Sequence, residues 1–227
     1  MRICVPVVAQ TVQGVLDAVS RARGSADLIE LRLDCLKNPA AEDLQRLFSG
    51  VRIPFIATNR PAREGGSFKG PERQRLAMLE KAIGKAAFID VELSAPQELR
   101  RKLSKNSKRT KTRIIVSFHD TRATPAVSVL EKNLDAEMKA GADVAKIVTT
   151  ARFPEDNIKF VELYEYAKAR RVPLVAWAMG EAGRPSRFLA MEMDAPIVFA
   201  SLKGTKSAPG QLSVKEARKF LRAKKGK

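Results

Sequence analysis

The fold class the sequence predicts is the (β/α)8 TIM barrel, a parallel eight-stranded barrel with outer helices. Three observations predict it. Eight short β-branched or alternating runs each precede a stretch of helical apolar spacing, and strict strand–helix alternation implies a parallel sheet. The chain has 227 residues, a length at which α/β barrels commonly form one unit. No G-x-G-x-x-G follows any strand and no Walker sequence occurs, which counts against an open doubly wound sheet, the runner-up. The expected organisation is one catalytic domain over 1–227 with a basic C-terminal tail at about 222–227.

The elements follow in order. Residues 3–9 are an apolar strand, and Thr11 caps a helix with Val12, Val15, Leu16 and Val19 on one side. Residues 26–34 alternate: Ile29, Leu31 and Leu33 take one face, and Leu28, Glu30, Arg32 and Asp34 the other. Pro39 opens a helix to about Phe48. Residues 53–58 form a third strand, a polar Gly-containing loop follows, and a helix spans about 71–83. Residues 87–93 are the fourth strand, with Asp90 and Glu92 sharing a face with Phe88, and a helix starts near Ala95. Residues 113–119 place Ile115, Ser117 and His119 on one side, and Thr124-Pro125 starts the helix that stops before Gly141. Residues 143–151 are the sixth strand, with a helix over about 154–170. Residues 173–178 and 197–201 are the last strands, separated by a loop and helix over 180–192, and Ser213 caps the final helix.

Composition narrows the function classes. Hydrophobic residues make up 44%, too many for a disordered chain. No apolar run is long enough to span a membrane. The N-terminus lacks a signal-peptide pattern, and Cys4 and Cys35 have no metal or disulfide spacing. The expectation is a cytoplasmic protein with no membrane partner. The net charge of +17 is local: residues 100–113 carry eight cations and no acid, and residues 215–227 carry seven cations and one acid. With one Trp, two Tyr and no recognised motif, nucleic acid is expected only as a non-specific partner.

The sixth strand carries the chemistry. Val144, Lys146 and Val148 share one face of an apolar run. A lysine is almost never buried without a reason, and desolvation favours a neutral amine that can attack a carbonyl. Alone it would be read as an edge-strand cation facing water. Its company changes that reading, because Glu30, Arg32, Asp90, Glu92, Ser117, His119 and Ser201 also fall on inward faces, mostly late in their strands. That is the catalytic end of such barrels, and so many polar groups would be costly to bury without a ligand. The lysine suits a Schiff base with a ketone or aldehyde; His119, the only histidine, suits proton transfer. Arg32, Arg60 and Arg187 suit a carboxylated, hydroxylated substrate. One histidine with scattered carboxylates makes no zinc set, and G-x-S-x-G is absent.

Six separated motifs give the chain a resemblance to the type I 3-dehydroquinate dehydratases, the Schiff-base enzymes of the shikimate pathway. Glu30-Leu-Arg32-Leu-Asp34 is similar to the family's E-x-R-x-D strand, and Thr58 to Gly66 to its T-x-R-x-x-x-E-G-G loop. Ser117-Phe-His119-Asp120 with Thr124-Pro125 resembles the histidine segment, and Lys146 stands where the family's imine-forming lysine stands. Met179-Gly180 with Ser186-Arg187 resembles the carboxylate-binding segment, and Ser207-Ala-Pro-Gly-Gln211 the closing loop. Each motif is weak singly; six in order are specific.

The resemblance implies syn elimination of water from 3-dehydroquinate to give 3-dehydroshikimate. It implies Lys146 as the imine former, His119 as base and then acid, and Glu64 as its orienting partner. Arg187 would hold the substrate carboxylate, and Glu30, Arg32, Arg60, Ser207 and Gln211 would bind ring hydroxyls and the carboxylate end. No cofactor and no metal are implied, since the imine is the electron sink, and a homodimer is the assembly expected. In longer relatives extra N-terminal strands plug the barrel floor; here the first strand is met at residue 3. A class I aldolase would share barrel and lysine but would not need Glu64-Gly-Gly or the 207–211 loop. A basic nucleic-acid binder is the non-enzyme alternative.

Overall fold

Local chemistry sets the element ends in the computed structural model, which describes residues 1–202, 204 and 209–226. The strands are β1 (Arg2–Val7), β2 (Leu28–Arg32), β3 (Phe55–Thr58), β4 (Phe88–Glu92), β5 (Arg113–His119), β6 (Val144–Thr150), β7 (Leu174–Met179), β8 (Ile197–Ser201) and a short β9 (Leu212–Ser213). The helices are α1 (Val12–Ala22), α2 (Ala41–Gly50), α3 (Glu72–Glu80), α4 (Gln97–Ser107), α5 (Val127–Lys139), α6 (Ile158–Ala169), α7 (Arg184–Glu192) and α8 (Val214–Lys225). Thr11 accepts the Gly14 N–H at 3.1 Å and opens α1. Ser213 and Glu216 form a reciprocal capping box on α8. Gly141, at φ +92°, stops α5 in a conformation that β-carbons disfavour.

Every ladder is parallel, in the order β7-β6-β5-β4-β3-β2-β1-β8-β9. The sheet curls, for the Trp177 ring of β7 and the Phe199 ring of β8 come within 5.2 Å. The parallel strand–helix alternation expected for a barrel is present, while no ladder joins β7 to β8 among the residues described. Side chains explain the gap. Alternation turns Ala176 and Ala178 away from β6. The Tyr164 hydroxyl accepts the Ala176 N–H at 2.9 Å and donates to its carbonyl at 3.0 Å. The Ser186 hydroxyl accepts the Ala178 N–H at 2.8 Å. These groups are satisfied without a neighbouring strand.

Each strand from β1 to β8 sends one residue into an inner apolar layer: Cys4, Leu28, Ile56, Phe88, Ile115, Val144, Val175 and Ile197. All are almost completely buried, and large apolar side chains in such positions contribute about 1.5–3 kcal/mol each. At the strand N-terminal end the Arg2 and Arg113 guanidiniums lie 4.9 and 4.3 Å from the Phe88 ring. This cation–π stack covers the floor. The opposite faces of the strands pack on the helices, as with Ile29, Leu31 and Ile89 beneath Leu44, Leu47 and Leu79.

Two expectations change in detail. Asp34 does not continue β2; it lies in a 3-10 turn, Leu33–Cys35. Residues 222–225, expected as a tail, are the last turn of α8, where Lys224 donates to the Met191 carbonyl at 2.9 Å and pairs with Asp194. The first basic block, expected at the end of its helix, begins in the first turns of α4 and runs through to β5, which begins at Arg113 and ends at His119. Only its later part, residues 108–113, lies at the end of β5 opposite the histidine; Arg100, in the first turns of α4, donates to the Ala95 carbonyl just after β4. No helix of the residues described is long and apolar enough to cross a membrane.

Candidate active site

One register step above the apolar layer the strands turn polar. Thr58 pairs with Asp90, Glu92 with Ser117, and Ser117 with Lys146 across successive strands. All five face a cluster that also includes Glu30, so their charges must be met inside the molecule.

Lys146 is only 3% exposed. Its Nζ donates to Asp90 Oδ2 at 2.8 Å, lies 3.6 Å from Glu30 Oε1, and sits 4.4 Å from the Phe199 ring centre. Two carboxylates and one ring thus aim the amine. Glu30 accepts the Thr58 hydroxyl at 3.0 Å. Asp90 is the hub. Its Oδ1 accepts Ser117 Oγ at 2.6 Å and its Oδ2 accepts Arg60 Nη2 at 2.7 Å. Burial would raise its pKa, but Arg60 and Lys146 overcome that and hold it well below the usual carboxylate range.

Arg60 also donates through Nη1 to Glu92 at 2.6 Å and to Ser117 at 2.7 Å. The site's wall therefore includes this guanidinium, but its donors clamp the carboxylates of β4. Behind it lies Arg75 of α3, fully buried, which pairs with Glu92 and donates to the Asn59 carbonyl at 2.6 Å. Sequence reasoning missed Arg75, because a helix arginine reads as a solvated cation.

His119 ends β5, and its Nδ1 lies 3.3 Å from Glu64 Oε2. Burial, then Arg60 and Lys146, push the imidazole pKa down to about 3, against the opposing pull of Glu64. The ring is neutral near pH 7 and can accept a proton. Glu64 sits in the 3-10 turn Ala62–Glu64 and also accepts the Ser94 hydroxyl. Burial would raise its pKa, but His119 and Ser94 bring it below the usual value. The two glycines after it are required locally. Gly65 has φ +78°, and a β-carbon on Gly66 would fall 2.0 Å from the Arg60 carbonyl oxygen.

Arg187, in the first turns of α7, is buried beside the Trp177 ring at 5.1 Å. Its Nε has no hydrogen-bond partner among the described residues. Burial, then Arg184, push its pKa down to about 10. A buried cation facing a cavity with an open donor suits an anionic ligand group. Arg32 lines the same cavity while holding Asp34 through two bonds of 2.9 and 2.7 Å.

A cavity of about 130 Å3 joins these groups. Of the residues expected from the sequence, Lys146, His119, Glu64, Glu30, Arg32, Arg60, Arg187 and Gln211 all line it. Ser207 lies outside the described residues. Sequence reasoning placed Asp90 on the inward face without a role, and missed Trp177 and Phe199, which form the apolar wall; aromatic residues in strands read as ordinary core.

Known proteins of the same kind share this sequence and shape. The sequence pattern of the type I 3-dehydroquinase family matches residues 3–227. The chain is 36% identical over 220 residues to the 3-dehydroquinate dehydratase of Methanococcus maripaludis strain C6, covering 96% of this chain and 98% of that one. The crystal structure of 3-dehydroquinate dehydratase from Geobacillus kaustophilus superposes with a TM-score of 0.87 at 28% identity, over 99% of this chain and 91% of that one. A type I 3-dehydroquinate dehydratase from Clostridium difficile, with covalently modified comenic acid, reaches a TM-score of 0.90 over 98% of this chain and 91% of that one; at 24% identity it speaks to the fold alone.

Proposed function

The chain belongs to the type I 3-dehydroquinase family, and on that premise we propose how its own residues eliminate water from 3-dehydroquinate. The activity is that of a hydro-lyase of the shikimate pathway, working through a Schiff base. We assign the imine to Lys146. Its amine attacks the ketone carbon and the carbinolamine loses water, leaving an iminium between nitrogen and carbon. Asp90 and Glu30, within 2.8 and 3.6 Å of Nζ, face the positive charge that this step fixes there.

The iminium acidifies the neighbouring C–H. His119 takes that proton, the pair of electrons moves into an enamine, and the next carbon expels its hydroxyl as the imidazolium returns the proton. Water leaves, and hydrolysis of the remaining iminium frees 3-dehydroshikimate and Lys146. Because burial holds the imidazole neutral, it starts the cycle as a base. Glu64 orients its Nδ1 and steadies the imidazolium. The observation that carries the reading is the pairing of a buried lysine with a neutral histidine on adjacent strands of one cavity.

Arg187 holds the substrate carboxylate, supported by the lack of an acidic partner for it among the described residues. Glu30, Arg32 and Gln211 bind hydroxyls and the carboxylate end, with Ser207 as the family motif implies. Arg60 acts as the clamp of Asp90 and Glu92. We read the curled sheet as a (β/α)8 barrel whose eighth seam is sealed by Tyr164 and Ser186, and the chain as one catalytic unit. Cys4 and Cys35 are unpaired, which fits a cytoplasmic enzyme; a homodimer is the assembly expected, and light scattering tests it. The activity itself is tested by adding 3-dehydroquinate and following the conjugated enone of the product by absorbance. Absence of that product at any pH near neutrality contradicts the reading.

A further inference from the structure

Glu137 lies in the last turn of α5, on the stripe that Leu130 and Leu134 bury. It is 0% exposed. Its Oε2 accepts the backbone N–H of Lys146 at 3.0 Å, and its Oε1 has no partner. Burial pushes its pKa well above the usual value, against the pull of that N–H. Ionised or protonated, it leaves one polar atom unmet in the core, a state that costs about 1–3 kcal/mol. An apolar residue on this stripe would avoid that cost but leave the Lys146 N–H without its acceptor.

The main chain explains what the carboxyl reaches. Asp143, just before β6, donates to the Ile114 carbonyl of β5, while Ala145 donates to the Pro173 carbonyl of β7. Residues two apart in a regular strand donate to the same neighbour, so the alternation slips once at the start of β6. The Lys146 N–H follows directly after that slip, and a helix side chain receives it. We propose that Glu137 is a positioning residue: it fixes the Lys146 main chain from behind the sheet, so that Nζ meets the ketone at the right angle. The role is that of a hydrogen-bond acceptor, which a glutamine carbonyl can fill. Small displacements of a reacting group cost much rate, with about 1 Å worth roughly 100-fold.

This inference rests on the reading of Lys146 as the imine former, and the test separates the two. Wild type, Glu137→Gln, Glu137→Met and Glu137→Ala are assayed for kcat, KM, Tm and the rate of borohydride-trapped imine, with the trapped peptide identified by mass spectrometry. In Glu137→Met, kcat and the trapping rate should fall about 10- to 100-fold at temperatures well below Tm, with KM within about twofold; Tm falls modestly, since relief of Oε1 is offset by the Lys146 N–H left without its acceptor. Glu137→Gln should restore kcat to within about threefold. Glu137→Ala, folded at reduced temperature, covers the case in which methionine does not pack, and should show the same kcat loss. Wild-type kcat in the methionine or alanine variant overturns the proposal. So does an equal loss in Glu137→Gln, or a loss that follows Tm and vanishes on cooling. Trapping of wild type at another lysine overturns the reading of Lys146 and this inference with it.

Discussion

The Lys146 amine and the Asp90 carboxylate meet at 2.8 Å, and Asp90 is itself held by Arg60 at 2.7 Å. One carboxylate thus serves as the anchor of the Lys146 amine and as the counter-charge of an arginine clamp. Its removal has two separable effects.

Asp90→Asn keeps the shape and removes the charge. It should lower kcat by at least about tenfold, because the iminium loses its nearest anion. It should also lower stability by about 3–5 kcal/mol, since Arg60 and Lys146 are left buried with less compensation. Urea unfolding and steady-state kinetics on one preparation measure both; unchanged kcat would remove Asp90 from the mechanism.

His119 gives a pH signature with a definite sign. In the unfolded chain it takes up a proton near pH 6.5, but in the folded chain only near about 3. The unfolded state therefore binds more protons between those values, and stability falls as pH drops below about 6.5, levelling off near about 3. From pH 7 to 5 this one group should cost about 2 kcal/mol. His119→Asn should lose about that much less over the same interval while still forming the trapped imine. Its turnover should fall about 10²–10⁴-fold. Equal acid sensitivity in the two proteins would show that the imidazole is not held neutral.

Arg187→Ala removes a buried cation that has no acidic partner among the described residues. KM should rise and kcat/KM fall by about 10- to 150-fold, as expected for loss of a charge-assisted pair worth about 1.5–3 kcal/mol. Tm should stay level or rise. Arg187→Lys should recover little, because a lysine cannot present the planar fork. A variant that loses stability with KM unchanged would assign Arg187 to the fold.

The eight alternating units were legible because strand and helix periods differ, and Lys146 and His119 were legible because such residues are rare in apolar strands. What escaped were contacts made across long stretches of chain. Arg60 and Asp90 are 30 positions apart, and nothing local to either names the other. Arg75 and Glu137 sit on helices, where a charged residue ordinarily marks the solvated face. Asp34 was misplaced because the alternation of β2 runs on in sequence after the backbone has turned into a 3-10 helix. Tyr164 and Ser186 could not be seen to seal the β7–β8 seam, since a hydroxyl that replaces a strand partner leaves no periodic trace.

The later part of the basic block, residues 105–113, closes α4 and leads into the N-terminal end of β5. Charges that distant from the mouth are screened beyond about 8–10 Å at physiological salt. Neutralising Lys105, Lys108, Arg109 and Lys111 together should leave kcat/KM unchanged and weaken retention on heparin at low salt. A large fall in kcat/KM would mean that these cations steer the substrate.

The most direct measurement is reduction with borohydride during turnover of 3-dehydroquinate, followed by mass mapping of the modified peptide. The predicted result is a single adduct on Lys146, absent in Lys146→Ala, whose turnover is also lost. An adduct on another lysine, or full turnover with no adduct, would contradict the assignment.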